Sequence, residues 1–267
     1  MSMPNVLEVR RRIESVQRGD ICLCLKAVYL LGAARIAEMT GKLCPKDSIE
    51  AGRRQIVYGP KGTDASLTEF QVQELSLANA VQVLKGNIVL EEAFPKIPVA
   101  LFRIKIAKQH LIESETPKSR LVALPLDEKY EPWTKELYEY FHRARDNYVF
   151  PFTRQEVWHY ITYKEPIFKG LTYPVEKYEI KKDGQVIARA LPHNRPFKLH
   201  GLRHLRTKEL FEVYQFDGLD FAAYIGWSIR KASSFDQNIP QQLPRYATVY
   251  ENWKRYFPKL LKTTENQ

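Results

Sequence analysis

Cysteine is scarce. The three cysteines in 267 residues are an odd number, and Cys22 and Cys24 stand too close in sequence for an ordinary bridge, so no disulfide framework is implied. A reducing, intracellular compartment fits that usage. Long unbroken hydrophobic runs are missing too. The apolar stretch Ile21–Met39 is interrupted by Lys26, Arg35 and Glu38, and no basic segment followed by a cleavage site precedes it, so neither a membrane span nor a signal peptide is expected. Zinc-ligand spacing is absent: Cys22, Cys24 and Cys44 have no paired partner cluster, and His193 and His200 fit no ordinary ligand motif. Gly59-Pro60-Lys61-Gly62-Thr63 lacks the glycine-to-lysine spacing of a Walker A loop and is expected to be an exposed turn. No internal repeat or low-complexity tract occurs. The expectation is a chain without membrane, metal or nucleotide cofactor.

What the chain does have is basic charge: 41 Lys and Arg against 31 Asp and Glu, a formal net charge of +10. Such a balance favours a polyanionic partner, nucleic acid or an acidic membrane, although a merely soluble basic protein has the same signature. With 44% apolar residues the chain can bury a genuine core.

Residues 1–20 carry Arg10, Arg11, Arg12 and Arg18 and are expected to be a basic arm. Asp20 is placed to cap an apolar helix through about Met39. Gln55-Ile56-Val57-Tyr58 is a β-prone run before the Gly-Pro turn. Leu67–Leu84 has helical periodicity, with Phe70, Val72, Leu75, Leu77 and Val81 available for a buried stripe. Pro98–Ile106 and Arg120–Leu126 are apolar or β-branched runs separated by a polar segment, a long-looped hairpin with a basic tip. Helices are expected at Trp133–Arg145 and Arg154–Tyr163, a hairpin around Lys182-Asp183-Gly184, and further helices from His200 onward. The fold class expected is α+β, mainly helical with small antiparallel sheets, in one domain over 21–262 with a polar tail at 263–267.

Three features carry chemistry. Arg35 falls within an apolar stretch, and burying a guanidinium costs several kcal/mol unless it is paired. Glu38, three residues on, is its natural helix partner, and the plain explanation is a structural ion pair. His200-Gly201-Leu202-Arg203-His204 sets His200 and Arg203 on one helix face, a pair suited to phosphate because arginine offers fixed donors and histidine exchanges a proton near neutrality. A solvated helix face is the plain alternative. Arg245-Tyr246-Ala247 lies in a tyrosine-rich C-terminal segment with Tyr250 and Tyr256, where most tyrosines are packing residues.

In their order, these pieces resemble the catalytic domain of the tyrosine recombinases, the phage-type integrases, particularly archaeal ones. Leu30–Glu38 looks like the segment with the family's first catalytic arginine, His200–His204 like its His-x-x-Arg box, Gly226-Trp227 like the element after that box, and Arg245-Tyr246-Ala247 like the nucleophile segment. The resemblance covers Ile21–Leu261. It implies Arg35, His200, Arg203 and Trp227 as phosphate donors, Tyr246 as nucleophile, and a hairpin lysine as general acid. Lys108 is the first choice, with Lys118 and Lys105 behind it. Glu38 and His204 would support the site, and Lys46, Lys118, Arg154, Lys231 and Arg245 would contact DNA phosphates.

Two stretches, Arg35 to the hairpin and Trp227 to Tyr246, exceed the usual family length. Asp236 falls where a shorter member would have its tyrosine, and Tyr250 and Tyr256 remain alternatives. About twenty residues precede the match, too few for the helical clamp domain of most members. The resemblance implies double-stranded DNA as partner, a homotetramer on DNA, no cofactor, and a cytoplasmic, nucleoid-associated protein of integration or excision. A DNA-binding protein that retains the fold without catalysis is the main rival, followed by a topoisomerase of the same chemistry.

Overall fold

The computed structural model describes residues 3–31, 35–42, 59–71, 96–106, 119–175, 178–182, 185–226 and 253–261. Helices mix with small sheets, in keeping with the expected α+β class. The chain divides into two compact units. The first comprises Met1–Pro60, Ile104–Lys118 and Tyr148–Gln215; the second comprises Lys61–Arg103, Ser119–Asn147 and Phe216–Gln267.

The first unit is organised around a buried helix. Residues 6–14, within the expected arm, form α1 (Val6–Glu14), whose first backbone N–H groups donate to the Asn5 side chain. Its Val9 and Ile13 are fully buried, and it packs on α2 (Gly19–Leu30). Every residue from Ile21 to Leu31 of that stretch is buried, Lys26 included, as expected for a helix apolar nearly all round. Asp20 does not cap this helix from outside. It lies in the first turn, where its carboxylate accepts from the Ile21 N–H and the Arg18 guanidinium. Cys22 and Cys24 are buried free thiols, and Cys44 lies outside the described residues.

The helix expected to continue to Met39 stops at Leu30. A separate short helix, α3 (Ile36–Met39), leads into β1 (Thr40–Lys42), which pairs in parallel with β5 (Phe150–Thr153). After β5 come α5 (Arg154–His159) and a π-turn (Tyr160–Lys164). Two antiparallel pairs are then nested, β6 (Thr172–Val175) with β9 (His193–Pro196) around β7 (Tyr178–Lys182) with β8 (Gln185–Ala190). The inner pair is the hairpin expected around Lys182. α6 (Leu199–Glu212) closes the unit by packing on α2.

The second unit holds a three-stranded sheet of order β2 (Ala65–Gln71), β3 (Lys96–Lys105, as far as Arg103), β4 (Ser119–Pro125). β3 and β4 are the strands of the expected hairpin. The helix expected over Leu67–Leu84 is overturned as far as Gln71: this segment is a strand in antiparallel register with β3, Ala65 opposite Phe102 and Gln71 opposite Lys96. Cross-strand pairing outweighs local periodicity here, because a helix would leave the β3 edge unpaired. The remainder, 72–84, and Gln55–Tyr58 lie outside the described residues.

α4 (Thr134–Ala144) places Phe141 edge-on to Phe102 at 5.0 Å. Gly59-Pro60-Lys61-Gly62 is not the exposed turn expected: Gly59, Pro60 and Gly62 are buried, and a Cβ at Gly62 would collide with the Phe141 carbonyl and the Arg145 backbone. Only glycine fits so close a backbone approach. α7 (Gly218–Ile225) and α8 (Trp253–Leu260) pack on β4 and on each other, with Phe70 against Trp253 and Phe257. Among the described residues, no helix is long and apolar enough to cross a membrane.

Candidate active site

Arg35 is not inside a helix. It is the N-cap of α3, with extended backbone (φ −70°, ψ 141°). Glu38 holds it at both ends, accepting from its backbone N–H at 3.2 Å and its guanidinium at 3.4 Å. The carboxylate is 1% exposed while the Arg35 side chain is one-third exposed, so the buried partner fixes an arginine whose head still meets solvent. A carboxylate at a helix N-terminus also suits the helix dipole. The expected Arg35–Glu38 pairing is present, with capping geometry in place of two side chains on one helix face.

The His-x-x-Arg box begins α6. The helix starts close against Phe197: Gly201 is buried, and a Cβ there would stand 2.7 Å from the Phe197 ring. His200 and His204, one turn apart and exposed, bring their rings to 4.7 Å edge to face. His204 also stacks on Tyr173 of β6, at 5.3 Å and 29°. Arg203 is half-buried between these positions in sequence, and its carbonyl accepts from the Thr207 hydroxyl at 2.8 Å. Partial burial, and then the Arg203 charge, hold the His204 imidazole below its ordinary value. Both effects disfavour the cation.

The other half of α6 contains a cluster that sequence reasoning missed. Arg206 is fully buried and donates to Glu209 at 2.6 Å. Glu209 also accepts from Arg10 of α1 at 3.1 Å and from the Tyr29 hydroxyl of α2 at 2.9 Å. The Arg206 guanidinium lies over the rings of Tyr29 and Tyr214. Burial alone would raise the Glu209 carboxyl, but the Arg206 and Arg10 charges, with hydrogen bonds from Arg206 and Tyr29, hold it below the usual carboxylate range. Burial and then the Glu209 charge push the Tyr29 phenol well above its ordinary value. Buried charges must be paired to be tolerated. This cluster joins α1, α2 and α6 and thereby sets the direction in which His200 and Arg203 leave the helix. The only local signal was Arg-x-x-Glu on one helix face.

Of the other expected residues, Arg154 opens α5 and is half-buried, and Lys105 ends β3. Lys46, Lys108, Lys118, Trp227, Lys231, Arg245 and Tyr246 lie outside the described residues, as do Asp236 and Tyr250. Their flanks in the second unit are described. α7 ends at Gly226, whose left-handed φ of 70° caps the helix, a conformation glycine adopts without a Cβ penalty. α8 is fixed through Arg255 and Lys259, which pair with Asp217 and the buried Asp220 of α7.

Tyr256 on α8 has an assigned structural duty. Its fully buried hydroxyl accepts from the Ala123 N–H at 2.8 Å and donates to the Leu121 carbonyl at 3.2 Å. Burial pushes its phenol above the ordinary value, so Tyr256 is a packing residue of the β4–α8 contact. Among the described residues, no group of three or more His, Cys, Asp or Glu side chains is placed to hold a metal ion. No protein-family model, curated protein or solved structure matches the chain.

Proposed function

We propose that this protein cuts and rejoins double-stranded DNA at specific sites through a 3′-phosphotyrosine intermediate. The observation that carries the reading is the N-terminal half of α6: His200, Arg203 and His204 lie there, and the Glu209 cluster fixes the helix behind them. An imidazole and a guanidinium one turn apart suit a phosphodiester, whose oxygens take arginine's fixed donors while histidine exchanges a proton. Arg35, held by Glu38, is the second cation of the reading, and its helix packs on the same α2 that supports α6. The net charge of +10 supports an anionic partner.

In this mechanism the Tyr246 oxygen attacks a backbone phosphorus as its proton passes to His200. The bond to the 5′ oxygen breaks, and Lys108 protonates that leaving group. Arg35, Arg203, His200 and the Trp227 indole N–H stabilise the charge on the phosphoryl oxygens. Attack by a 5′ hydroxyl reverses the step and frees the tyrosine. We further propose a homotetramer on paired DNA sites and a nucleoid-associated location.

The test is trapping on a nicked suicide duplex, wild type beside Tyr246→Phe, on a denaturing gel. Wild type gives a covalent adduct and the variant none. Binding without an adduct would replace this reading with a non-catalytic DNA-binding protein, and relaxation of supercoiled plasmid without strand exchange would indicate a topoisomerase.

A further inference from the structure

The backbone of α6 is fixed from behind by the Glu209 cluster, but a fixed backbone does not fix the imidazole of His200. An exposed histidine turns about two side-chain torsions, and proton transfer to its ring needs a nitrogen within hydrogen-bond reach and in line. Placement good enough for chemistry comes from neighbours that restrict those torsions. His200 has such neighbours, in a run of rings that ends in the core.

His200 meets the ring of His204 edge to face at 4.7 Å, and His204 stacks on Tyr173 at 5.3 Å and 29°. Tyr173 stands edge-on to Phe197 at 6.4 Å and 89°, and Phe197 stands edge-on to Phe168 at 5.2 Å and 73°. Phe168 and Phe197 are buried, Tyr173 is half-buried, and both histidines are exposed. The run therefore passes from core to solvent, and Tyr173 joins its fixed rings to its exposed ones.

Tyr173 is itself held by the backbone. It lies opposite Arg195 in the β6–β9 pair, and the Phe197 N–H extends that ladder by donating to the Leu171 carbonyl at 2.8 Å. Phe197 precedes Lys198, the N-cap of α6, and its ring lies against Gly201, where a Cβ would stand 2.7 Å away. The strand with Tyr173 and the helix with both histidines are thus held in register through Phe197. Stacked rings attract beyond the area they bury, so the Tyr173 face disfavours rotamers that turn the His204 ring away. His204, one helical turn from His200, restricts His200 in the same manner.

We infer that Tyr173 is a positioning residue for the His200 imidazole, acting through the ring of His204. Its bearing on catalysis rests on the phosphotyrosine reading, in which His200 accepts the proton of the nucleophile; the positioning itself does not.

The test uses the full-length chain with isotope-labelled histidine. Three-bond NMR couplings report the χ1 rotamers of His200 and His204, and adduct formation is followed at saturating suicide duplex. In wild type each of the two histidines holds one rotamer. Tyr173→Leu keeps apolar bulk beside Phe197 but removes the flat face. The couplings of both histidines then average, and the adduct forms about three- to tenfold slower at unchanged DNA affinity. Tyr173→Phe, which retains the face, behaves as wild type. In a His204→Ala background, Tyr173→Leu causes no further loss, because the ring through which it acts is gone. His204→Ala changes only an exposed side chain, so it releases His200 even where Tyr173→Leu fails to fold. Averaged His200 couplings in wild type, or unchanged ones in folded Tyr173→Leu or His204→Ala, would overturn the inference. Losses that add in the double variant would overturn it too, since they would report a loosened β6–β9 pair. One rotamer in wild type, released in the variants, with no adduct from wild type would remove the phosphotyrosine reading and support the positioning role.

Discussion

The two halves of α6 put the same kinds of side chain to opposite uses. At its start, His200 and His204 are exposed and Arg203 is half-buried. One turn later, Arg206 and Glu209 are buried with Arg10 and Tyr29 in a hydrogen-bonded cluster. Both halves contain an arginine at helical spacing from a polar partner, so the motif alone does not separate them. Burial does. A buried guanidinium held among helices orients them, whereas one nearer the solvent edge is within reach of a phosphate.

The largest effect should come from breaking the buried half. Glu209→Ala takes the shared carboxylate from the buried Arg206 and the half-buried Arg10 and should cost about 3–5 kcal/mol in urea unfolding. Arg203→Ala, in the exposed half, should cost less than about 1 kcal/mol. Equal losses would erase the distinction between the halves.

Acid should sharpen it. The folded pKa of Glu209 is depressed, so its contribution is complete above the unfolded value near 4.5 and is lost as pH falls through the folded value. Stability followed by urea titration should therefore decline below about pH 4.5, and Glu209→Gln should flatten that decline. Gly201→Ala pushes a methyl group toward the Phe197 ring and should cost about 1–3 kcal/mol by overpacking. The smallest effect is electrostatic. His204, followed by NMR, should titrate below 6.5 in wild type and move upward in Arg203→Ala, which removes a neighbouring positive charge.

These contrasts follow the line between what a local pattern can and cannot reveal. β3, β4, α4 and the β7–β8 hairpin were legible because their apolar runs and turn residues act within a few positions. The end of the α2 helix was not, because apolar content continues past Leu30, while the Glu38 carboxylate that caps the Arg35 backbone starts a separate helix. Leu67–Gln71 was misread as helix, since its partner strand lies some thirty residues away. Arg206 escaped notice for the same reason at longer range: Arg10 and Tyr29 reach Glu209 across separations of 199 and 180 residues. The His200–Arg203 spacing was readable from one helix turn, while the Tyr173 stack on His204 depended on strand pairing.

The most direct measurement of the central claim is adduct formation on the suicide duplex by Arg203→Ala, with its folding checked by urea unfolding in the same preparation. The account predicts a variant within about 1 kcal/mol of wild type in stability that forms the covalent adduct about a hundredfold or more slower, the loss typical of a missing transition-state donor. A fully folded Arg203→Ala that forms adduct at the wild-type rate would contradict it.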